Sequence, residues 1–279
     1  MPDLRHHLAR AAAALERARI PQPRLAAEVL LAHLLQRDRA YLYAHPEDEL
    51  PAPLADRLTA LAARRAAGAP LQYLTGVQEF YGRAFAVSPA VLIPRPETEL
   101  LVEAALARMP AQSSLRVLDV GTGSGCIAVT LALERPAAQL LATDLSPAAL
   151  AVAAANARRL GAQVEFMESD LLAGVSGRFD LIVSNPPYVS EAEFATLQPE
   201  VRDHEPRLAL VAGPRGTEHY ARLISRAHAS MRPGGWLLLE LGYASAHAVR
   251  ALLGQGWSGV ETRPDLQGWP RLLAAQRAD

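Results

Sequence analysis

The spacing of hydrophobic positions changes period along the chain. Leu4, Leu8, Ala11, Ala12 and Leu15 fall at helical intervals. Pro21 and Pro23 interrupt that run, and a second helix is predicted over about 24–36 with Leu25, Val29, Ala32 and Leu35 on one face. Pro51 and Pro53 mark the entry to a third, whose face starts at Leu54, Leu58 and Leu61. These stripes predict a small bundle burying its own core, with Arg17, Arg19, Arg64 and Arg65 on a solvated surface. From Gly68 the pattern changes. Apolar residues flank a glycine turn over 80–87, which predicts a short hairpin. Thr98 or Pro96 is placed to open a helix through Leu100, Leu101 and Val102.

Beyond that point, strands and helices alternate. Strands are predicted at 115–120, 139–144, 164–167, 179–183 and 236–241, and helices at 126–133, 146–160, 220–231 and 245–253. Ser146-Pro147 is a good N-cap and N1 pair, and Gly161 closes the helix it opens. Alternation of this kind predicts an α/β fold, a parallel sheet covered by helices on both faces. Ligands on such sheets sit beyond the carboxyl ends of the strands. The chain then divides into a helical domain over 1–75, a hairpin connector over 76–93 and an α/β domain over 94–279.

Charge narrows the partners. The net charge is −1, with 28 basic and 29 acidic residues, so no strong sequence-independent grip on nucleic acid is expected. Every basic residue is arginine, which excludes Schiff-base lysines and a Walker A phosphate loop. Cys126 is the single cysteine, so no intrachain disulfide or cysteine-based zinc site can form. The histidines lack metal-site spacing, so no metal is expected. The first residues carry no apolar signal core, and Leu25 to Leu35 is too short to span a bilayer, so a cytoplasmic setting without membrane partners is expected.

The candidate chemistry lies at four strand ends. The first strand runs into Gly121-Thr122-Gly123-Ser124-Gly125, where a glycine-rich turn lets backbone approach a ligand at a helix N-terminus. The spacing is G-x-G-x-G, unlike the G-x-G-x-x-G of dinucleotide binders, and alone it also suits a plain tight turn. Asp144 ends the next strand, where an acid can accept both hydroxyls of a ribose. Asp170 follows the third strand, where it can accept from an adenine amino group, with Leu171 covering the ring. Each acid alone reads more readily as a helix cap or turn former. On the fourth strand, Asp180 to Ser184 ends in Asn185-Pro186-Pro187-Tyr188. Asn185, next to a proline, is pushed to an extended conformation. The tip offers the Asn185 side-chain oxygen, the Pro186 carbonyl and the Tyr188 ring, a set that suits a planar NH2 group such as adenine N6 or a glutamine amide. With a nucleoside site beside it, S-adenosylmethionine is the expected cofactor. Glu205-Pro206-Arg207 reads as an active-site wall or as a buried ion pair or turn, and Glu240 receives no role.

Five segments occur in order: Gly-Ala-Pro-Leu-Gln-Tyr-Leu-Thr-Gly (68–76), Leu-Ile-Pro-Arg-Pro-Glu-Thr-Glu (92–99), Gly-Thr-Gly-Ser-Gly (121–125), Ser-Asn-Pro-Pro-Tyr (184–188) and Glu-Pro-Arg-Leu-Ala-Leu (205–210). By these the chain resembles the bacterial peptide chain release factor glutamine N5-methyltransferases over nearly its whole length. The resemblance implies a class I S-adenosylmethionine-dependent methyltransferase fold, a Rossmann-like seven-stranded sheet with an antiparallel last strand, which the tail from Asp265 fits as a closing hairpin. It implies a class 1 peptide chain release factor as partner, methylated on the glutamine of its Gly-Gly-Gln loop, with the helical domain docking it. Carried over by position, Gly121 to Gly125, Asp144, Leu171 and Asn185 contact the cofactor, and Asn185 to Tyr188 contact the glutamine. The chain departs from the family at Gly242-Tyr-Ala-Ser-Ala-His and at Pro270. Competing readings are glutamine methylation of a large-subunit ribosomal protein, adenine N6 methylation of nucleic acid, and a non-catalytic binding protein that keeps the fold.

Overall fold

The computed structural model describes residues 2–278, which form two compact units. One runs to Val77 and includes the later segment Gln198–His204; the other comprises Gln78–Leu197 and Glu205 onward.

The first unit is helical, with helices Leu4–Arg17, Pro23–Leu35, Arg39–Ala44, Ala52–Ala66 and Leu71–Thr75, joined by Pro199–His204. Asp3 caps the first helix by accepting from the His6 N–H at 2.8 Å, and Leu4, Leu8, Ala11 and Leu15 are buried. The second helix packs differently from its predicted face. Of that face only Ala32 is buried, while Leu25, Val29 and Leu35 are half-buried; the other buried positions are Ala26, Ala27, Glu28, Leu30, Leu31 and Leu34. It is apolar nearly all round and meets the first, third, fourth and fifth helices, so spacing alone picks no single face. Its buried Glu28 is held by Arg24 at 2.8 Å, Arg39 at 2.7 Å and the Tyr43 hydroxyl at 2.7 Å. Arg65 is a correction to the predicted solvated face. It is 7 % exposed, donating to the Ala69 carbonyl at 2.9 Å and to Glu200 at 2.8 Å.

The second unit opens with a hairpin of strands β1 (Val77–Phe80) and β2 (Arg83–Ala86). Phe80 and Phe85 join the core that includes Leu101, Ile127 and Val129, so from Gln78 the hairpin belongs to this unit rather than linking two others. A single helical turn, Pro96–Thr98, leads into the helix Glu99–Leu106. Then come β3 (Arg116–Val120), β4 (Gln139–Asp144), β5 (Glu165–Glu168), β6 (Phe179–Ser184), a short pair β7 (Val189–Ser190) and β8 (Val211–Gly213), β9 (Met231–Glu240), β10 (Trp257–Pro264) and β11 (Pro270–Arg277). The main sheet has order β10-β11-β9-β6-β3-β4-β5. Strands β3 to β6 and β9 run parallel, and β11 returns antiparallel against β9.

Side chains alternate across the sheet with period two. Val117, Leu181, Val183 and Leu238 enter one core; Leu118, Ile182, Leu237 and Leu239 enter the other. Helices Glu99–Leu106, Cys126–Glu134 and Pro147–Leu160 supply the first core, and Glu218–Ser230 and Ala246–Ala251 the second. Burial on both faces explains why these strands read as continuous apolar runs. The predicted elements sit within a few residues of the observed ones, except that β9 starts at Met231 and runs through Pro233-Gly-Gly.

The topology positions the site. From β3 the chain moves outward one way through β4 and β5, then returns to place β6 on the other side of β3. A crevice therefore opens beyond the carboxyl ends of β3 and β6, where loops diverge. Val120 pairs with Ser184, Thr143 with Val120, and Ser184 with Leu239. The residues that follow these positions are brought level at one edge: Gly121, Asp144, Asn185 and Glu240.

Candidate active site

The loop after β3 is held by backbone. The N–H groups of Gly121 and Thr122 donate to the Thr143 carbonyl at 2.8 and 2.9 Å. Gly125, with φ of +81°, opens the helix Cys126–Glu134; a side chain there would meet Ala153 Cβ at 3.1 Å and its Cα at 3.2 Å. Beneath the loop, Asp119 Oδ2 accepts from the Thr122 hydroxyl at 2.7 Å and the Ala128 N–H at 3.2 Å. Its Oδ1 is buried without a partner. Burial pushes the Asp119 carboxyl up to about 7, against the pull of those two hydrogen bonds.

A cleft of about 1030 Å³, open mouth included, lies over this edge. Gly121, Thr122, Gly123 and Ser124 line it, as do Asp144, Asp170 and Leu171, and also Asn185 and Pro187. Gly125, Pro186 and Tyr188 stand outside its lining. Asp144 is fixed by the Gly123 N–H on Oδ2 at 2.8 Å and the Ser146 N–H on Oδ1 at 2.9 Å. Burial raises its pKa and the backbone N–H groups lower it. A carboxylate has about four acceptor sites, so two hydroxyls still find room. Asp170 lines the cleft while its Oδ2 takes Arg222. Leu171 has φ of +59°, in the left-handed region that costs an ordinary residue about 1–2 kcal/mol, and its carbonyl accepts from Thr143 and Ser169. Leu145, 47 % exposed, adds an apolar wall. An acid, apolar walls and a glycine loop with an orphaned carboxyl oxygen below it fit an adenosine-bearing ligand such as S-adenosylmethionine.

On the other side of the cleft, Asn185 Nδ2 donates to the Thr98 hydroxyl at 3.2 Å, and that hydroxyl donates to Glu240 Oε2 at 2.6 Å. Burial pushes the Glu240 carboxyl up to about 7, while the Thr98 hydrogen bond and the charge of Arg271 pull it down. Tyr188 is half-buried, and burial raises its pKa, which keeps the hydroxyl neutral. Its ring lies close enough to Gly242 that a Cβ there would sit 2.8 Å from Tyr188 Cδ2. The Tyr220 hydroxyl, donating to the Glu240 carbonyl at 2.8 Å, secures the end of β9.

Several residues had no predicted place in the site. Leu92, Pro94, Arg95 and Thr98 line the cleft, in a segment given no ligand contact and read as the end of the connector and a helix entry. The motif at 92–99 was their one visible signal. Glu205 is the buried ion pair among its alternatives: it accepts from Arg95 at 2.6 Å and from the Ile93 N–H at 3.2 Å, tying that segment down. His219 lines the cleft with a buried, unpartnered Nδ1, and burial lowers its pKa. No sequence pattern marks it.

The chain is similar to known methyltransferases. Residues 6–76 match the PrmC N-terminal domain and residues 96–202 the methyltransferase small domain. The release factor glutamine methyltransferase of Koribacter versatilis is 52% identical over 265 residues, 94% of each chain. That of Cereibacter sphaeroides is 51% identical over 250 residues, 88% of each chain. Among solved structures, a methyltransferase from Pyrococcus furiosus shares the fold, with TM-score 0.54 and 19% identity over 80% of this chain and 98% of that one. With identity at this level over nearly the full length, the chain belongs to the release factor glutamine methyltransferase family.

Proposed function

We propose that this protein transfers a methyl group from S-adenosylmethionine to the side-chain amide nitrogen of the glutamine in the Gly-Gly-Gln motif of a class 1 peptide chain release factor. The observation that carries the reading is Asn185, standing at the β6 end of the cleft lined by the glycine loop, Asp144 and Asp170, with Pro186 and Tyr188 next in the chain. Gly121 to Ser124, Asp144, Asp170 and Leu171 hold the cofactor, with Gly125 turning the loop into its helix: the acids take ribose and adenine donors, and Leu171 covers the ring. When bound, S-adenosylmethionine supplies an electrophilic methyl on a positively charged sulfur.

The residues of the chain deal with the nucleophile. An amide nitrogen is weak because its lone pair is delocalised. Asn185 Oδ1 and the Pro186 carbonyl accept its two N–H groups and favour the positive charge it gains as it turns tetrahedral. Pro186 and Pro187 stiffen the tip that carries both acceptors. The Tyr188 ring restrains the amide plane, and placement supplies much of the remaining acceleration. No strong base is required, because the proton on the alkylated nitrogen is acidic enough to pass to water. The near-neutral net charge and the relatives' printed name favour a protein glutamine over a base in nucleic acid.

The test is labelled methyl transfer to purified release factors, ribosomal proteins and DNA. Label is expected on the release factor and lost when its Gly-Gly-Gln glutamine is replaced; label on DNA or a ribosomal protein instead refutes the proposal. Asn185→Ala is expected to lower transfer at least about 10²-fold, the scale of losing one positioned partner, with cofactor affinity within about an order of magnitude.

A further inference from the structure

Asn185 is useful to an amide substrate only in one of two orientations. Its oxygen end accepts an N–H; its NH2 end would repel one. A 3.2 Å contact with the Thr98 hydroxyl suits either end of an asparagine amide. What selects the end is the next group along. Glu240, when ionised, has acceptors only, so the single hydroxyl hydrogen of Thr98 is spent on Oε2 at 2.6 Å. Towards Asn185 the hydroxyl then has only lone pairs to offer. The NH2 group must turn to Thr98, and Oδ1 remains for the ligand.

We propose that Thr98 and Glu240 are positioning residues that fix the direction of the Asn185 amide, so that its oxygen is presented to the substrate. The proposal rests on the function inferred above. Both residues are 2 % exposed, so water does not substitute for either partner. Sheet register accounts for the arrangement: Ser184 pairs with Leu239, which sets Asn185 and Glu240 side by side on adjacent strands. Thr98 arrives from 142 residues before Glu240 in sequence, at the end of the helical turn Pro96–Thr98. Arg95 and Arg271 favour the charged form of Glu240, Glu97 opposes it, and Tyr188 faces it as a neutral hydroxyl. In a buried chain of three groups, the direction of one bond dictates the direction of the next.

The full chain is assayed at pH 8.5 with release factor. Thr98→Val keeps the shape and removes the hydroxyl; Glu240→Met removes the acceptor and frees Thr98 to donate the wrong way. Each is expected to lower kcat about tenfold or more, the scale of losing an orienting partner behind a working ligand, with cofactor affinity within about threefold. Thr98→Ser, which restores the hydroxyl, should recover at least about a third of the wild-type kcat. In an Asn185→Ala background, Thr98→Val should cost less than about twofold, because nothing is left to orient. A full tenfold loss there overturns the relay. A second readout needs no substrate. The chain has two asparagines, Asn156 and Asn185, so asparagine-selective nitrogen-15 labelling gives two side-chain amides to follow by NMR. The Asn185 amide should show one proton protected from exchange in the wild type and none in Thr98→Val. Unchanged protection overturns the proposal. If the wild type fails to methylate the release factor, the proposed function falls, and the NMR result still decides the orientation of Asn185.

Discussion

Gly242→Ala is the most discriminating small change outside the cleft. The added Cβ would lie 2.8 Å from Tyr188 Cδ2 and 3.2 Å from Cγ. Ordinary contact begins near 3.4 Å, so the ring must move by 3.4 − 2.8, about 0.6 Å. The backbone cannot absorb this easily. Gly242 donates its N–H to the Tyr220 hydroxyl at 3.3 Å, and its carbonyl accepts from the Ser245 N–H at 3.1 Å. Gly242 has no left-handed φ, so alanine brings no conformational strain of its own and the effect is purely steric. Overpacking of this size costs about 1–3 kcal/mol of stability. The larger effect should fall on transfer. A misplacement approaching 1 Å can cost about 10²-fold, so about 10- to 100-fold in kcat/KM is expected, or about 1.4–2.7 kcal/mol of barrier. The assay is single-turnover methyl transfer to release factor, with cofactor binding followed by calorimetry. Gly242 lies outside the cleft lining, so cofactor affinity should hold within about threefold. Wild-type turnover in a folded Gly242→Ala protein would refute the assignment of Tyr188 to the glutamine. A parallel loss of cofactor affinity would show that the disturbance spread beyond the ring.

Two further outcomes follow from the loop after β3. Gly125→Ala combines a φ of +81° with Ala153 backbone at 3.2 Å, and should destabilise the protein by about 2–4 kcal/mol and weaken cofactor binding; an unchanged urea midpoint would sink this. Asp119 has a folded pKa of about 7 against an ordinary 3.8, so the folded state binds its proton more tightly. Stability from this group is full below the unfolded pKa and is lost as pH rises to about 7. Asp119→Asn should flatten the decline in stability between pH 5 and 7.5 in protein free of cofactor, read by urea unfolding at each pH; a slope equal to that of the wild type would refute the assignment, with Glu240 as the next group to test.

The strand ends were legible because each combines two local signals: an apolar run buried on both faces and an abrupt polar or glycine stop. Asp144 and Asn185 stand where those signals put them. The grouping of Asn185 with Thr98 and Glu240 was not legible, since it depends on strand order and register rather than on spacing within a segment. Asp170 shows the limit of position alone: it reaches the cleft, yet its carboxylate also serves Arg222, on a helix that no motif links to it. In the first unit, an almost wholly apolar helix gave periodicity nothing to distinguish, and Arg65 looked like a surface arginine because Glu200 lies 135 residues away. Between β6 and β9, short helices such as Glu191–Phe194 and Arg207–Leu210 are too brief to leave a periodic trace.

The membership of Gln198–His204 in the first unit bears on synthesis. When residue 77 leaves the ribosome, the helical unit still lacks the helix Pro199–His204 that carries Glu200, and the Arg65 guanidinium lacks that carboxylate. Another 204 − 77 = 127 residues must be made first. At about 5–20 residues per second, that is about 6–25 s during which Arg65 lacks its carboxylate partner. The unit that begins the chain is thus completed only after most of the second unit has been made, and a fragment cut at its apparent boundary would lack the anion that Arg65 meets.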